Sequence, residues 1–216
     1  MDPEVVRLLD APGFTPGVRA LAACGAVRRY RKDTLLIQEG DQGDTLFIVV
    51  QGRVKAFSMD ARGREVTFGV YGPGEYLGEM SLDGGPRSAS VITLDPSTCI
   101  MITRQTLLMH IAEHPEFALE LIAGVIRRAR LATQSTRSLA LIDVYGRLVQ
   151  LLNSMAELRE DGVQVIAGRL THQDIASRVG CSREMVSRLL KDLETGGYVG
   201  SEGRQLVLRK PLPLRW

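Results

Sequence analysis

With 216 residues, 44% of them hydrophobic and 24% charged, the chain has material for one large domain or two small ones, and it is neither a disordered nor a fibrous sequence. Its longest apolar runs, among them Thr45 to Val50, fall far short of the roughly 20 residues that cross a bilayer. The start Met1-Asp2-Pro3-Glu4 lacks the basic and apolar parts of a secretory leader, so a soluble, cytoplasmic protein with no membrane partner is expected. Cys24, Cys99 and Cys181 form no C-x-x-C pair, which points to neither a disulfide framework nor a metal site. The net charge of +2 is unevenly spread: Val144 to Trp216 carries eleven Lys or Arg against eight Asp or Glu, a mildly basic end suited to nucleic acid.

From Val27 to Thr103 the chain reads as short strands separated by glycine. The expected strands are Thr34–Ile37, Thr45–Val50, Val54–Ser58, Val66–Val70, Ser88–Ile92 and Cys99–Ile102, with turns at Gly40-Asp41, Gly52, Asp60 to Gly63 and Gly72-Pro73-Gly74. Many short strands at this spacing predict a β-roll or barrel. After Pro115 the pattern becomes helical to about Asp143. Ala118, Ile122, Val125, Ala129, Ala132, Thr136 and Leu139 recur at alternating spacings of four and three, the seam of two helices packed side by side. Two readings stay open: a homodimer along this helix, or a single helix lying on its own β-roll.

Near the C-terminus, Thr171-His172-Gln173-Asp174 reads as a helix start, and that helix stops at Gly180. Ser182 then caps a second helix in which Val186, Leu189, Leu190 and Leu193 share a core-facing side. Arg183, Glu184, Ser187, Arg188 and Lys191 are left on the other. Two helices joined at Gly180-Cys181 predict a helix-turn-helix. Arginine can donate twice to guanine, glutamate can accept from cytosine, and Ser or Lys can hold phosphates, so the face suits a major groove. An ordinary solvated helix side with a Glu184–Arg188 pair fits the same residues.

The segment Gly74 to Val91 contains Gly78-Glu79-Met80 and, after a glycine-rich stretch, Pro86-Arg87-Ser88-Ala89. Gly78 would let the backbone approach an anion, and N–H groups from Glu79 to Ser81 could open a short helix toward a phosphate. Arg87 would neutralise it, Ser88 would add a hydroxyl donor, and Glu79 suits a sugar hydroxyl. A plain glycine-rich turn is the bland alternative. His110 and His114, one helical turn apart, are expected on a solvated helix face, since no third metal ligand is evident. Cys99 alternates with apolar neighbours and is expected in the core, whereas Cys181 is a redox candidate. No nucleophile elbow, H-E-x-x-H or Walker loop is present, so an enzyme is not expected.

The stretch Leu170 to Val199, above all Val179-Gly180-Cys181-Ser182-Arg183-Glu184-Met185-Val186-Ser187-Arg188, closely resembles the helix-turn-helix of the cyclic-AMP receptor protein and FNR family. The order G-E-M…P-R-S-A resembles the phosphate cassette of cyclic-nucleotide-binding domains, and the likeness runs from about Ala26 to Leu208. It implies an α+β protein. An N-terminal cyclic-nucleotide-binding β-roll would occupy 1–114, a long dimerisation helix and hinge 115–143, and a C-terminal winged helix-turn-helix 144–216.

It further implies that Gly78, Glu79, Met80, Arg87 and Ser88 hold a ribose-phosphate and that Thr133 meets the base. Arg183, Glu184 and Arg188 would read a two-fold operator in double-stranded DNA, while Thr171, Gln173, Ser182, Ser187 and Lys191 complete that surface. Tyr198 to Leu208, Arg204 included, would form the wing. RNA polymerase is the further partner implied. His172 stands where the cyclic-AMP receptor protein has arginine, and Ala132 where it has a second base-contacting threonine. The loop from Leu82 to Pro86 is shorter than usual. Cyclic AMP is the favoured effector, with cyclic di-GMP, another ligand or none left open, and a regulatory subunit of an enzyme is the rival from another class. An oxygen-sensing iron–sulfur cluster would need several N-terminal cysteines, and only Cys24 is there.

Overall fold

A computed structural model describes residues 3–160, 163–166, 170–203 and 205–213. The chain divides into two compact units, Met1–Ser58 with Thr67–Arg130, and Met59–Val66 with Leu131–Trp216.

The first unit opens with helices α1 (Pro3–Leu9) and α2 (Pro16–Ala23), the latter capped by the Thr15 hydroxyl, which accepts from the Val18 amide at 3.1 Å. Strands follow in the order β1 (Ala26–Tyr30), β2 (Leu35–Ile37), β3 (Leu46–Gln51), β4 (Val54–Met59), β5 (Glu65–Tyr71), β6 (Tyr76–Leu77), β7 (Ser90–Thr93) and β8 (Ser97–Ile102). They form two four-stranded sheets, ordered β1-β8-β3-β6 and β2-β7-β4-β5. The expected β-roll is therefore present. Central β3 is apolar on both sides. Phe47 and Val49 enter a core with Ile37, Val54, Leu77 and Cys99, while Leu46, Ile48 and Val50 join Leu21, Ile100 and Phe117 in a second core beneath the helices. The strand expected from Ser88 begins only at Ser90. The backbone of Arg87 is engaged by the Gly40-Asp41 turn, with Arg87 N–H donating to Asp41 at 2.8 Å and Gly40 N–H to Arg87 at 2.9 Å.

Helix α3 (Arg104–Glu113) leads to α4 (Glu116–Leu141), the long helix expected after Pro115. Phe117 and Gly124 are its buried positions, whereas Ile122, Val125 and Leu139 of the seven-residue seam are 52%, 43% and 52% exposed. The helix thus buries a stripe other than its seam.

The second unit contains α5 (Val144–Met155), β9 (Ala156–Leu158), β10 (Gln164–Ile166), α6 (His172–Val179), α7 (Arg183–Thr195), β11 (Val199–Glu202) and β12 (Gln205–Leu208). Its strands form a sheet ordered β11-β12-β10-β9. Leu148, Leu152, Ile175, Val186 and Leu193 build a core across the three helices, closed by Ile166, Val199 and Leu208 from the sheet. No described helix is long and apolar enough to cross a membrane.

Candidate functional site

The loop expected to meet an anion starts where β6 ends. Gly78 has φ +91°, and a Cβ there would lie 2.6 Å from the Thr45 carbonyl oxygen and 2.8 Å from Nη1 of Arg87. Only glycine meets both demands. The helix expected after it is a single 3-10 turn, Glu79–Ser81, too short to carry the dipole of a longer helix. What the turn supplies is shape.

That shape surrounds Arg87, which is 8% exposed. Its Nη1 donates to the Gly78 carbonyl at 3.0 Å and to Ser81 Oγ at 3.1 Å, and its Nη2 donates to the Thr45 carbonyl at 2.9 Å. All three acceptors are neutral. Burial pushes the guanidinium below the usual arginine range, with Asp44 and Glu79 acting in the opposite direction. Among the described residues no carboxylate lies within ion-pair distance of it. A buried cation hydrogen-bonded only to neutral acceptors is a strong attractor for a phosphodiester.

Glu79 is paired otherwise. Its carboxylate forms an ion pair with Arg128 of α4, the two side chains being 6% and 23% exposed. Arg128 also donates to the Tyr76 carbonyl, and its guanidinium carbon lies 5.0 Å and 5.3 Å from the Tyr76 and Tyr71 ring centroids. Burial raises both phenols above their ordinary value, against the pull of Arg128. Thr45, Arg128, Tyr71, Tyr76 and the side chain of Ser81 were not singled out by sequence reasoning. Met80 is 60% exposed, and Ser88 Oγ contacts its sulfur at 3.3 Å. The loop therefore gathers Gly78, Glu79, Met80, Arg87 and Ser88, while Thr133 is exposed on the part of α4 that belongs to the second unit.

In the second unit the helix-turn-helix is built as expected. Thr171 caps α6, its hydroxyl accepting from the Asp174 amide at 3.1 Å while Asp174 accepts from the Thr171 amide at 2.9 Å. Gly180 ends the helix at φ +73°, and Ser182 caps α7 by accepting from the Met185 amide at 3.2 Å. The guanidinium of Arg147 in α5 donates to the Val179 carbonyl at 2.8 Å and the Ile142 carbonyl at 2.6 Å, fastening the turn to the start of the unit.

Val186, Leu190 and Leu193 are buried, so Gln173, Arg183, Glu184, Arg188 and Lys191 are exposed and Ser187 is half-buried. The Glu184 carboxyl is held below the usual range by the helix-start amide and the Ser182 hydroxyl beside it. Two contacts escaped the sequence: the Arg147 fastening and a bond of 2.7 Å between His172 Nδ1 and Ser187 Oγ. Strands β11 and β12 form the hairpin expected as the wing, with Arg204 outside the described residues.

Two side readings change. His110 is not on a solvated face: it is 4% exposed, with its ring centroid 5.2 Å from Phe117 and 4.8 Å from His114. Cys181 is half-buried and its thiol is pushed up by burial, with Arg147 opposing, which disfavours the reactive thiolate. Cys99 lies in the core, its thiol raised to about 11.

Residues 27–114 match the model of the cyclic nucleotide-binding domain and residues 146–215 that of the Crp-like helix-turn-helix domain. The chain is 33% identical over 211 residues to the CRP-like cAMP-activated global transcriptional regulator of Mycobacterium tuberculosis, covering 94% of both chains. This protein belongs to the Crp/Fnr family of transcription regulators. It is also 30% identical over 208 residues to the cAMP-activated global transcriptional regulator CRP of Escherichia coli, covering 93% of this chain and 98% of that one. Among solved structures it is similar to the c-di-GMP responsive global regulator CLP of Xanthomonas campestris, at a TM-score of 0.79 and 27% identity over 90% of this chain and 98% of that one. Membership of the Crp/Fnr family makes it a DNA-binding regulator and not an enzyme.

Proposed function

We propose that this Crp/Fnr protein is a dimeric switch that binds one cyclic nucleotide per protomer, with cyclic AMP the favoured effector, and thereby changes its affinity for a palindromic operator. The observation that carries this reading is the buried Arg87 guanidinium, held by three neutral acceptors and lacking a carboxylate partner among the described residues. A singly charged phosphodiester supplies the missing anion. The names of the M. tuberculosis and E. coli relatives support cyclic AMP. A second reading, cyclic di-GMP, is supported by the likeness to the X. campestris regulator.

The dimer is supported by the exposed seam of α4, where Ile122, Val125 and Leu139 are open apolar positions on one chain. Gly78, Glu79, Met80, Arg87, Ser88 and Thr133 would hold the nucleotide. Thr171, Gln173, Ser182, Arg183, Glu184, Ser187, Arg188 and Lys191 would meet DNA, with Thr171 and Ser182 acting as caps. RNA polymerase is the further partner proposed, and the cytoplasm the site of action. Thermal shift with cyclic AMP, cyclic GMP and cyclic di-GMP tests the effector, and sedimentation at micromolar concentration tests the dimer. Stabilisation by cyclic AMP above the others and a dimeric mass are expected. A monomer with and without nucleotide contradicts the seam.

A further inference from the structure

The contact between His172 and Ser187 joins the first residue of α6 to the exposed face of α7. Nδ1 of the imidazole and the serine Oγ are 2.7 Å apart, a short bond whose direction depends on whether Nδ1 carries a proton. In the neutral tautomer that carries its proton on Nε2, the serine hydroxyl donates to Nδ1 and is consumed, leaving Nε2–H as the single outward donor. With charged imidazole, Nδ1–H donates to the serine oxygen, and the hydroxyl proton is released to another acceptor. One protonation thus adds a positive charge and frees a second donor on the surface that meets DNA.

We propose that His172 and Ser187 form a proton-gated phosphate contact, so that this protein binds DNA more tightly in mildly acidic than in mildly alkaline solution. The inference rests on DNA binding by the helix-turn-helix and is independent of which nucleotide is bound. Position supports it. Ser187 precedes Arg188 and follows Arg183 and Glu184 along α7, and His172 borders a groove whose wing side is formed by Ser201, Gly203 and Gln205. Ile175 and Leu190 line that groove from α6 and α7, and its described lining holds no other charged side chain.

The charged groups on the surrounding elements leave the imidazole as the variable one. On α6, Asp174 is bound to Thr171 and Arg178 contacts the Met155 sulfur. On α7 stand Arg183, Glu184, Arg188 and Lys191, and on the wing Glu202 is paired with Arg159 at 3.0 Å. Carboxylates, guanidinium groups and lysine ammonium groups ordinarily keep one charge between about pH 6 and 8, whereas imidazole changes its own.

The test uses the full-length protein and a duplex of random sequence, with affinity measured against salt at about pH 6 and pH 8. For wild type, the slope of log affinity on log salt should steepen by about 0.9 per protomer at the lower pH, as one added phosphate contact requires. Affinity should rise roughly five-fold for each protomer that engages the duplex, what about one surface ion pair supplies. His172→Gln should lose both changes while keeping His110 and His114, and His172→Arg should bind tightly at both pH values. Ser187→Ala should match wild type near pH 8, where the hydroxyl is consumed, and bind more weakly near pH 6, where it is free. Equal wild-type slopes at the two pH values, or a His172→Gln response as large as that of wild type, would overturn the proposal.

Discussion

Arg128, in the middle of the long helix α4, is ion-paired with Glu79, the first residue of the 3-10 turn after β6. The pair is partly buried, so removing one partner leaves a desolvated charge. Glu79→Gln should lower stability by about 2–4 kcal/mol, below the full cost of a deeply buried pair because Arg128 keeps some water contact. Urea unfolding at neutral pH measures it. A double variant with Arg128→Met should recover much of the loss, and a double variant no better than the single one would contradict the pairing as the cause.

Packing of α4 against the β-roll depends on the absence of a side chain at Gly124. A Cβ there would fall 2.0 Å from the Tyr76 hydroxyl oxygen, well inside contact, and 3.0 Å from the ring carbon that bears it. Gly124→Ala should therefore cost about 1–3 kcal/mol through overpacking, outweighing the helix propensity of alanine. Unfolding midpoints of the variant and of Gly124→Ala with Tyr76→Phe separate the causes, because removing the hydroxyl should restore part of the loss.

Buried His110 makes stability depend on pH. Its Nε2 has no hydrogen-bond partner among the described residues, and burial lowers its pKa from 6.5, helped by His114 and opposed by Glu113 and Glu116. Below 6.5 the unfolded chain binds the proton first, so stability is intact above that pH and falls as pH drops through the window beneath it. Denaturation midpoints taken between about pH 7.5 and pH 5.5 should fall for wild type and fall less for His110→Gln. Parallel curves for the two proteins would contradict this assignment.

Glu184 and Lys191 share the exposed face of α7 but should act differently on DNA. The exposed Glu184 carboxylate, kept ionised by its own helix-start amide and by Ser182, is an acceptor suited to a cytosine amino group. Glu184→Ala should relax preference at one base pair of each half-site by roughly 1–3 kcal/mol, with half-sites about 34 Å apart. Lys191→Ala should weaken all sequences alike and flatten the salt dependence. Selection from a random pool, followed by binding at several salt concentrations, distinguishes the two.

The parts legible in the sequence are those where local pattern and tertiary role agree. Alternating or fully apolar runs marked β3 and β8, the lack of proline marked α4, and caps with a shared apolar face marked α6 and α7. Strand β1 was missed because Arg28 and Arg29 break any apolar alternation in Ala26–Tyr30, as an edge strand allows. Strand β6 is two residues long, too short for a period. Arg87 was legible through its neighbours Pro86 and Ser88, but its partner Thr45 lies 42 residues away. Arg128 looks like one more cation on a charged helix, and nothing local shows its meeting with Glu79. His110 misled for the same reason, since a polar residue on a polar-looking helix gives no sign of the Phe117 ring beside it.

Calorimetric titration of cyclic AMP into wild type and Arg87→Ala tests the central claim most directly. A guanidinium that is 8% exposed and held by neutral acceptors should supply a charge-assisted contact whose loss costs about 2–3 kcal/mol. Wild type should bind one nucleotide per protomer, and the variant, with its fold checked by circular dichroism, should bind at least thirty-fold more weakly. Equal affinity in the two proteins, or no binding of any cyclic nucleotide by wild type, would contradict the account.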